Sequence, residues 1–133
     1  MTIQIVEKET AVPFPTSFTI TGEQLCTLGE IGPTELIKGE VVRAMPTGHP
    51  HGIIESMIAA LIFNYLRTHK IGRVVSGEVG VYTQRNPDTV RAVDVAFISN
   101  ERYRQVQSGS YLDVAPELVV EMVLWEYKGY THI

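Results

Sequence analysis

Two apolar runs, each interrupted by one carboxylate, constrain most strongly what this chain can fold into. Residues 90–99 read VRAVDVAFIS and residues 117–124 read ELVVEMVL, so Asp94 and Glu121 stand among β-branched and other apolar side chains. A run as continuous as residues 117–124 is typical of a central strand that is covered on both faces. Because burying a carboxylate in apolar surroundings costs free energy unless a partner compensates it, the sequence predicts a partner for each acid.

One long amphipathic helix is predicted in the first half of the chain. Apolar residues recur with helical spacing between residues 54 and 65, which lines one face of a helix. Pro50 suits the first helical turn, and Gly72 follows the basic residues that are typical of a helix C-terminus. We therefore expect a core helix from about Pro50 to Lys70.

Shorter elements around this helix complete the pattern of an α/β domain. Thr21 is predicted to cap a helix over Glu23–Leu28, because its hydroxyl can accept a free backbone N–H. Lys38-Gly39 is predicted to form the tight turn of a β-hairpin, where glycine supplies a positive φ. The other expected elements are strands at residues 34–37, 40–45, 73–77, 79–84 and 90–99, and a short helix to residue 106 that Asn100 caps.

Composition limits the class of protein. The 133 residues include 44% hydrophobic and 20% charged residues, which is the balance of one ordinary folded domain. A net charge of −4 argues against bulk electrostatic binding to nucleic acid or to anionic membranes. The single Cys26 cannot close an intramolecular disulfide, and the sequence contains neither a signal peptide nor an apolar stretch long enough for a membrane span. We expect a soluble, cytoplasmic protein that does not contact a membrane.

The two acids have two possible environments. If their strands are neighbours, Asp94 and Glu121 converge, and their mutual repulsion favours a bound hard cation such as Mg²⁺ or Mn²⁺. Alternatively, Asp94 forms a salt bridge with Arg91 and Glu121 faces solvent from a sheet edge. The residues alone leave both interpretations open.

Histidines and further acids supply other candidates. His51 could ligate a metal, contact a phosphate or act as a general acid at the start of the core helix, or it could simply hydrogen-bond the hairpin. Glu40 is either a third carboxylate of the site or a hairpin residue paired with a neighbouring cation. Glu55 is a candidate third carboxylate too, although a solvated helix residue or the partner of a salt bridge to a neighbouring loop is the favoured interpretation, and Glu78 is predicted to be a surface charge at a strand end.

Four sequence blocks occur in a distinctive order. They are Glu35-Leu36-Ile37-x-Gly39-Glu40-Val41-Val42; Pro46 followed by His51-Gly52; Val90-Arg91-Ala92-Val93-Asp94-Val95-Ala96-Phe97; and Ala115-Pro116-Glu117-Leu118-Val119-Val120-Glu121-Met122-Val123. In this order and spacing the chain resembles the Uma2 family of restriction-endonuclease-like proteins, over roughly residues 18–124. The resemblance implies an α/β fold of the PD-(D/E)XK nuclease type, a mixed sheet flanked by helices, with a shortened or diverged C-terminus.

The resemblance also implies a site. The family's metal-binding Asp and Glu match Asp94 and Glu121, His51 and Glu40 match further family positions, and the cofactor is Mg²⁺ or Mn²⁺. In such chemistry the metal activates water and neutralises charge on the phosphate. The usual Glu-x-Lys triplet is absent, because Val123 stands where the lysine is expected. Lys128 is the nearest candidate for the catalytic lysine.

The resemblance divides the chain into three segments. Residues 1–17 are expected to be a flexible arm, residues 18–124 the nuclease-fold core, and residues 125–133 a divergent or truncated tail. The expected function is a metal-dependent endonuclease that hydrolyses DNA. Members of the family typically carry a displaced lysine on a helix that follows the Glu strand, and the lack of this helix here puts the activity in question. The alternative is a non-catalytic binding or dimerisation module, and an apolar sheet edge leads us to expect a homodimer.

Overall fold

A computed structural model describes residues 19–123 of the chain. The predicted flexible arm and the predicted tail, including Lys128, lie outside these residues. In chain order the elements are α1 (Gly22–Thr27), β1 (Thr34–Ile37), β2 (Glu40–Arg43), α2 (His49–Thr68), β3 (Gly72–Gln84), β4 (Thr89–Ser99), α3 (Asn100–Tyr103) and β5 (Leu118–Val120).

The strands form one five-stranded sheet, and helices pack against it. Strands β2, β1, β4 and β3 follow one another in that order, and β5 also pairs with β4. Every pairing between named strands is antiparallel, and the parallel contribution is an isolated bridge between Val81 and Leu112. The α/β class is therefore confirmed, and it is consistent with a restriction-endonuclease-like fold. We predicted a sheet with both parallel and antiparallel pairs, and in the described residues the one parallel pair is the Val81–Leu112 bridge.

Strand β4 is the centre of the sheet, and one of its edges is shared by two strands. Strand β3 pairs along the opposite edge. On the shared edge, β1 pairs with β4 at Val90, and β5 pairs with it at residues 95–97. Within the described part of the chain, no strand pairs with residues 91–94 on this edge, and we call this gap the fork. Asp94 lies in the fork.

A β-bulge in β3 lies opposite Asp94 on the other edge of β4, across from the fork. We predicted two strands over residues 73–84, but the structure shows one strand with a shift in register. Ser76 pairs with Val95 and Val79 pairs with Val93, so Gly77 and Glu78 together lie opposite Asp94. Both bulge residues have a positive φ, 84° for Gly77 and 64° for Glu78. Bulges of this kind redirect side chains and are frequent beside active sites.

Helix α2 confirms the long predicted helix. It begins at His49, with Pro50 in its first turn as expected, and it packs against β3 and β4. Its first two turns reach the fork and the bulge, whereas many apolar side chains farther along remain exposed. Among the helices of residues 19–123, none combines the length and the apolar character that crossing a lipid bilayer requires.

Two details of the sequence prediction are corrected. Strand β5 has three residues rather than a long central run, and its Leu118 and Val119 are 48% and 42% exposed. The apolar character of residues 117–124 therefore does not mean burial on both faces within the described residues. In addition, the side chain of Ser99 caps α3 by accepting the Arg102 N–H, so Asn100 is the first residue of the helix rather than its cap. The Thr21 cap of α1 and the β1–β2 hairpin are confirmed.

Candidate metal centre

Asp94 is buried and has two partners. Its residue is 8% exposed. Its Oδ2 accepts the backbone N–H of Met122 at 2.7 Å and lies 3.3 Å from Nε2 of His51. The alternative partner that the sequence suggested, Arg91, is instead paired with Glu35, with 3.1 Å between Nε and Oε2. The buried carboxylate is thus compensated by the helix and by the chain that leaves β5.

His51 joins Asp94 to a second carboxylate. It lies in the first turn of α2 and is 5% exposed. Its Nδ1 is 3.6 Å from Oε2 of Glu55, one helical turn farther along the same face. In the part of the chain that the structure describes, this buried Nδ1 has no hydrogen-bond partner. An unpaired buried nitrogen is costly, so it points to a missing ligand or proton acceptor.

Glu55 and Glu78 link helix α2 to the bulge. Oε1 of Glu55 accepts the N–H of Gly77 at 2.7 Å, which fixes the helix against the first bulge residue. Glu78, the second bulge residue, has its pKa raised mainly by burial and further by the negative charges of Asp94 and Glu55. Glu55, for which the third-carboxylate role was the less favoured interpretation, is half-buried, and Glu78 is exposed as predicted; each nevertheless offers a ligand atom to the site.

Together these four side chains fit a divalent cation. One ligand atom from each of His51, Glu55, Glu78 and Asp94 lies within 4.8 Å of the other three. The set combines one imidazole nitrogen with three carboxylates, which are ligand types that proteins use for divalent metals. The unpaired Nδ1 of His51 supplies an observation independent of the acidic residues. We call this set the inner cluster.

Glu121 lies beside the inner cluster on the other side of Asp94. Strand β5 ends at Val120, which pairs with Val95, and Glu121 follows it as an exposed residue. The next residue, Met122, donates its backbone N–H to Asp94, so the chain at Glu121 passes close to this carboxylate. The pKa of Glu121 is raised by burial first and then by the charges of Asp94 and Glu35, while the charge of Arg91 lowers it. Glu121 is therefore an electrostatic neighbour of Asp94, although it is not a member of the inner cluster.

Glu35 is an acid beside the site that the sequence did not single out. From β1 it accepts the Ala92 N–H at 2.9 Å, so it satisfies a backbone group that the fork leaves without a strand partner. Its second oxygen pairs with Arg91. The charge of Glu35 raises the pKa of both Glu78 and Glu121, so it contributes to the negative potential around Asp94.

The structure brings some of the predicted site residues together. Asp94 and His51 are in contact, and Glu121 lies alongside. Glu40 is exposed in the hairpin opposite Ile37 and is not a member of the inner cluster. Lys128 lies outside the described residues, so its role as the catalytic lysine stays a prediction.

The sequence contains two signals that point to Glu55 and Glu78 as members of the inner cluster. Glu55 follows His51 by four residues, the spacing that places two side chains on one helical face. Gly77 precedes Glu78 inside an otherwise β-forming segment, and a glycine in such a segment often marks a bulge.

A comparison with protein families decides the assignment. Residues 22–128, most of the chain, match the sequence profile of Uma2, whose description is "Putative restriction endonuclease". The chain belongs to the Uma2 family. A comparison with curated proteins finds no matching sequence.

Cations are scarce near the site of this Uma2 protein. In residues 19–123 the lysines are Lys38, exposed in the hairpin turn, and Lys70, exposed beyond the C-terminal end of α2. The site lies at the opposite end of α2, and a helix of 20 residues is about 30 Å long. Arg91 is the basic side chain whose charge reaches Glu121.

The bulge residue Glu78 generates a prediction about stability. Replacing it with glycine removes both a positive φ at a non-glycine residue and a carboxylate that Asp94 and Glu55 repel. We expect Glu78→Gly to raise the free energy of unfolding by about 1 kcal/mol in a chelator-containing buffer, measured by denaturant titration. Val79→Gly, at the next position and without a positive φ, should lower it. A Glu78→Gly variant less stable than the wild type would contradict this account.

The raised pKa of Glu121 generates a prediction about pH. Because folding raises this pKa above its ordinary value of 4.5, the group contributes stability below pH 4.5, and the contribution is lost as pH rises through the folded-state pKa. Glu121→Gln should therefore have a higher Tm than the wild type at pH 7, and this difference should shrink as pH falls towards 4.

Glu117 provides a control of opposite sign. The Ser99 hydrogen bond lowers the pKa of Glu117, so its ionised form is favoured in the folded protein. Glu117→Gln should therefore lower the Tm at pH 7. If Glu117→Gln and Glu121→Gln changed the Tm at pH 7 in the same direction and by the same amount, the local charges around these two residues would not determine their contributions to stability.

Proposed function

We propose that this Uma2 protein is a metal-dependent endonuclease that hydrolyses phosphodiester bonds of DNA with Mg²⁺ or Mn²⁺. The observation that carries the proposal is the inner cluster, in which a buried histidine with an unpaired Nδ1 is grouped with three carboxylates. Family membership supports a nuclease as the class of protein.

Each residue has a proposed role. Asp94, Glu55, Glu78 and His51 would hold the cation, with Asp94 as the central ligand. The cation would activate water and neutralise charge on the phosphate when bound. Glu121, on the far side of Asp94, would be a further ligand and proton acceptor, since a raised pKa makes a carboxylate a better base. Glu40 stays a prediction that the inner cluster does not support.

Arg91 is the proposed phosphate contact. Its side chain is 56% exposed at the fork, and its pairing with Glu35 holds the guanidinium beside the acidic site. A planar guanidinium can bind two phosphate oxygens at once. Because the chain carries a net charge of −4, recognition of DNA would depend on such local cations rather than on bulk charge.

A different observation favours self-association. Ile53, Met57, Leu61 and Tyr65 follow one another every four residues along α2, and each is more than half exposed. Near its C-terminal end this stripe borders an apolar groove that also contains Phe97 and Leu118. We propose that a second copy of the chain covers the stripe. A two-fold interface brings the same surface of both copies together, so an uncharged stripe can pair with itself.

The nuclease proposal predicts divalent-dependent nicking of supercoiled plasmid. Asp94→Asn should reduce the nicking rate by about 10²- to 10³-fold, because it removes the charge at the centre of the cluster. Asp113→Asn is the matched control, since Asp113 accepts backbone N–H groups in a distant loop segment and should retain full activity. Equal activity of both variants, or nicking unaffected by chelator, would refute the proposed site.

The same nicking assay distinguishes the roles of the two candidate basic side chains, Lys128 and Arg91. If Lys128 is the catalytic lysine, Lys128→Ala should lower the rate at saturating DNA, whereas Arg91→Ala should mainly weaken DNA binding.

The self-association proposal predicts a concentration-dependent dimer in sedimentation velocity. Leu61→Glu places a charge in the middle of the stripe and should shift the protein to monomer. Because Leu61 is 70% exposed, the variant should keep the Tm that the wild type has at concentrations low enough for it to be monomeric. Glu101→Lys, which changes charge on exposed α3, should leave the dimer intact. A wild-type protein that remains monomeric at high concentration would rule out this interface.

A further inference from the structure

A groove at the C-terminal end of helix α2 is lined by three basic side chains. Arg67 of α2, Lys70 just beyond it and Arg73 of β3 border this groove, and all three are exposed. In the part of the chain that the structure describes, no carboxylate lines the groove. Among the same residues, none of the three cations forms a salt bridge. We call this surface the basic groove.

Other arginines of residues 19–123 have acidic partners. The pairs are Arg85 with Glu23, Arg91 with Glu35, and Arg102 with Glu117. The whole chain has a net charge of −4, so acids outnumber the cations that could pair with them. Three cations that converge without an acid among the described residues therefore create a local positive potential on an acidic protein.

We propose that the basic groove binds the phosphate backbone of duplex DNA at a distance from the bond that is cut. This inference rests on the proposed nuclease function, and it adds a second surface for the substrate. Contacts to phosphates position a duplex without reading its sequence. The groove would therefore supply affinity and orientation rather than sequence specificity.

The same two elements border the basic groove and the inner cluster. Helix α2 rises about 24 Å from His51 to Arg67. Strand β3 extends about 17 Å from Arg73 to Glu78. Because successive base pairs of DNA are about 3.4 Å apart, these lengths correspond to about five to seven base pairs. A duplex that lies along α2 and β3 can thus contact both the groove and the cluster.

Hydrogen bonds and a stacking contact hold the groove in shape. The side-chain amide of Asn100 donates to the carbonyl of Lys70 at 2.8 Å, and its backbone N–H donates to the carbonyl of Ile71 at 3.0 Å. The guanidinium carbon of Arg73 lies 4.0 Å from the centre of the Tyr103 ring, a cation–π contact. These contacts fix the chain around two of the cations while their charges stay exposed, so less freedom is lost when a ligand binds.

The competing interpretation is that these cations only complement the dipole of α2. Arg67 and Lys70 lie at the C-terminal end of the helix, where positive charge is favourable. This interpretation does not account for Arg73, which belongs to β3 and stacks on Tyr103. It also does not explain why the described lining of the groove lacks carboxylates in an acidic protein.

Fluorescence anisotropy with a labelled DNA duplex two helical turns long tests the groove, in a chelator-containing buffer that prevents cleavage. Lys70→Gln and Arg73→Gln should each weaken binding about 5- to 10-fold at about 0.1 M salt, because each removes one phosphate contact. Each should also reduce the slope of log Kd against log salt concentration by about one. Lys38→Gln is the matched control, since Lys38 is exposed in the hairpin turn and does not border the groove. It should retain both the affinity and the slope.

Plasmid nicking adds a kinetic readout. Arg73→Gln should raise KM and leave kcat unchanged, because a contact distant from the reacting bond is equally strong in the ground state and the transition state. The replaced side chains of Lys70 and Arg73 are exposed, so the variants should fold, and a Tm close to that of the wild type verifies this.

The possible failures are distinct. If Lys70→Gln and Arg73→Gln matched the wild type in affinity and salt slope, the groove would be overturned and the nuclease function would stand. A wild type that binds no duplex at low salt would also overturn the groove. Binding that depends on the groove without any divalent-dependent nicking would refute the proposed function and leave the groove standing. Tighter binding to an RNA duplex of the same sequence would overturn DNA as the partner.

Discussion

The cost of burying the carboxylate of Asp94 shapes the centre of this sheet. A carboxylate in an apolar strand needs donors, and a regular sheet engages its backbone N–H groups in the ladder. Here the ladder is interrupted on both edges of β4 at the same residue, by the bulge of Gly77 and Glu78 and by the fork between β1 and β5. The interruption frees the Met122 N–H for Asp94. The fold thus gives up regular pairing where the acid needs a partner.

The electrostatics of the site oppose the stability of the fold. Glu35, Glu78 and Glu121 all surround Asp94, and burial and mutual repulsion raise the pKa of Glu78 and Glu121. Arg91 and His51 offset only part of this negative charge. A protein that needed only a folded sheet would gain by replacing Glu78 and Glu121, the two acids with raised pKa values, with neutral residues. Their convergence, together with a non-glycine residue at positive φ, is the pattern of a site kept for binding.

Local patterns in the sequence predicted much of the fold, and the missed features depend on contacts distant in sequence. Helix α2 and strand β4 have clear periodicity, so their existence and the importance of Asp94 could be predicted. Glu55 looked solvated because its partner, the N–H of Gly77, is 22 residues away. Glu78 was missed because the bulge exists only in the register of β3 against β4. The apolar run at β5 reports hydrophobicity, and hydrophobicity alone does not distinguish a covered central strand from a partly exposed one.

The attachment of helix α2 connects the site to the fold. Of its 20 residues only His51 and Leu66 are buried, one near each end. At the N-terminal end the helix is held by the site itself, through His51 against Asp94 and Glu55 against Gly77. Without a cation, this end of the helix brings carboxylates together at an electrostatic cost. A cation bound there would remove that cost and add a further tie between helix and sheet, so metal binding would strengthen the docking that His51 and Glu55 already provide.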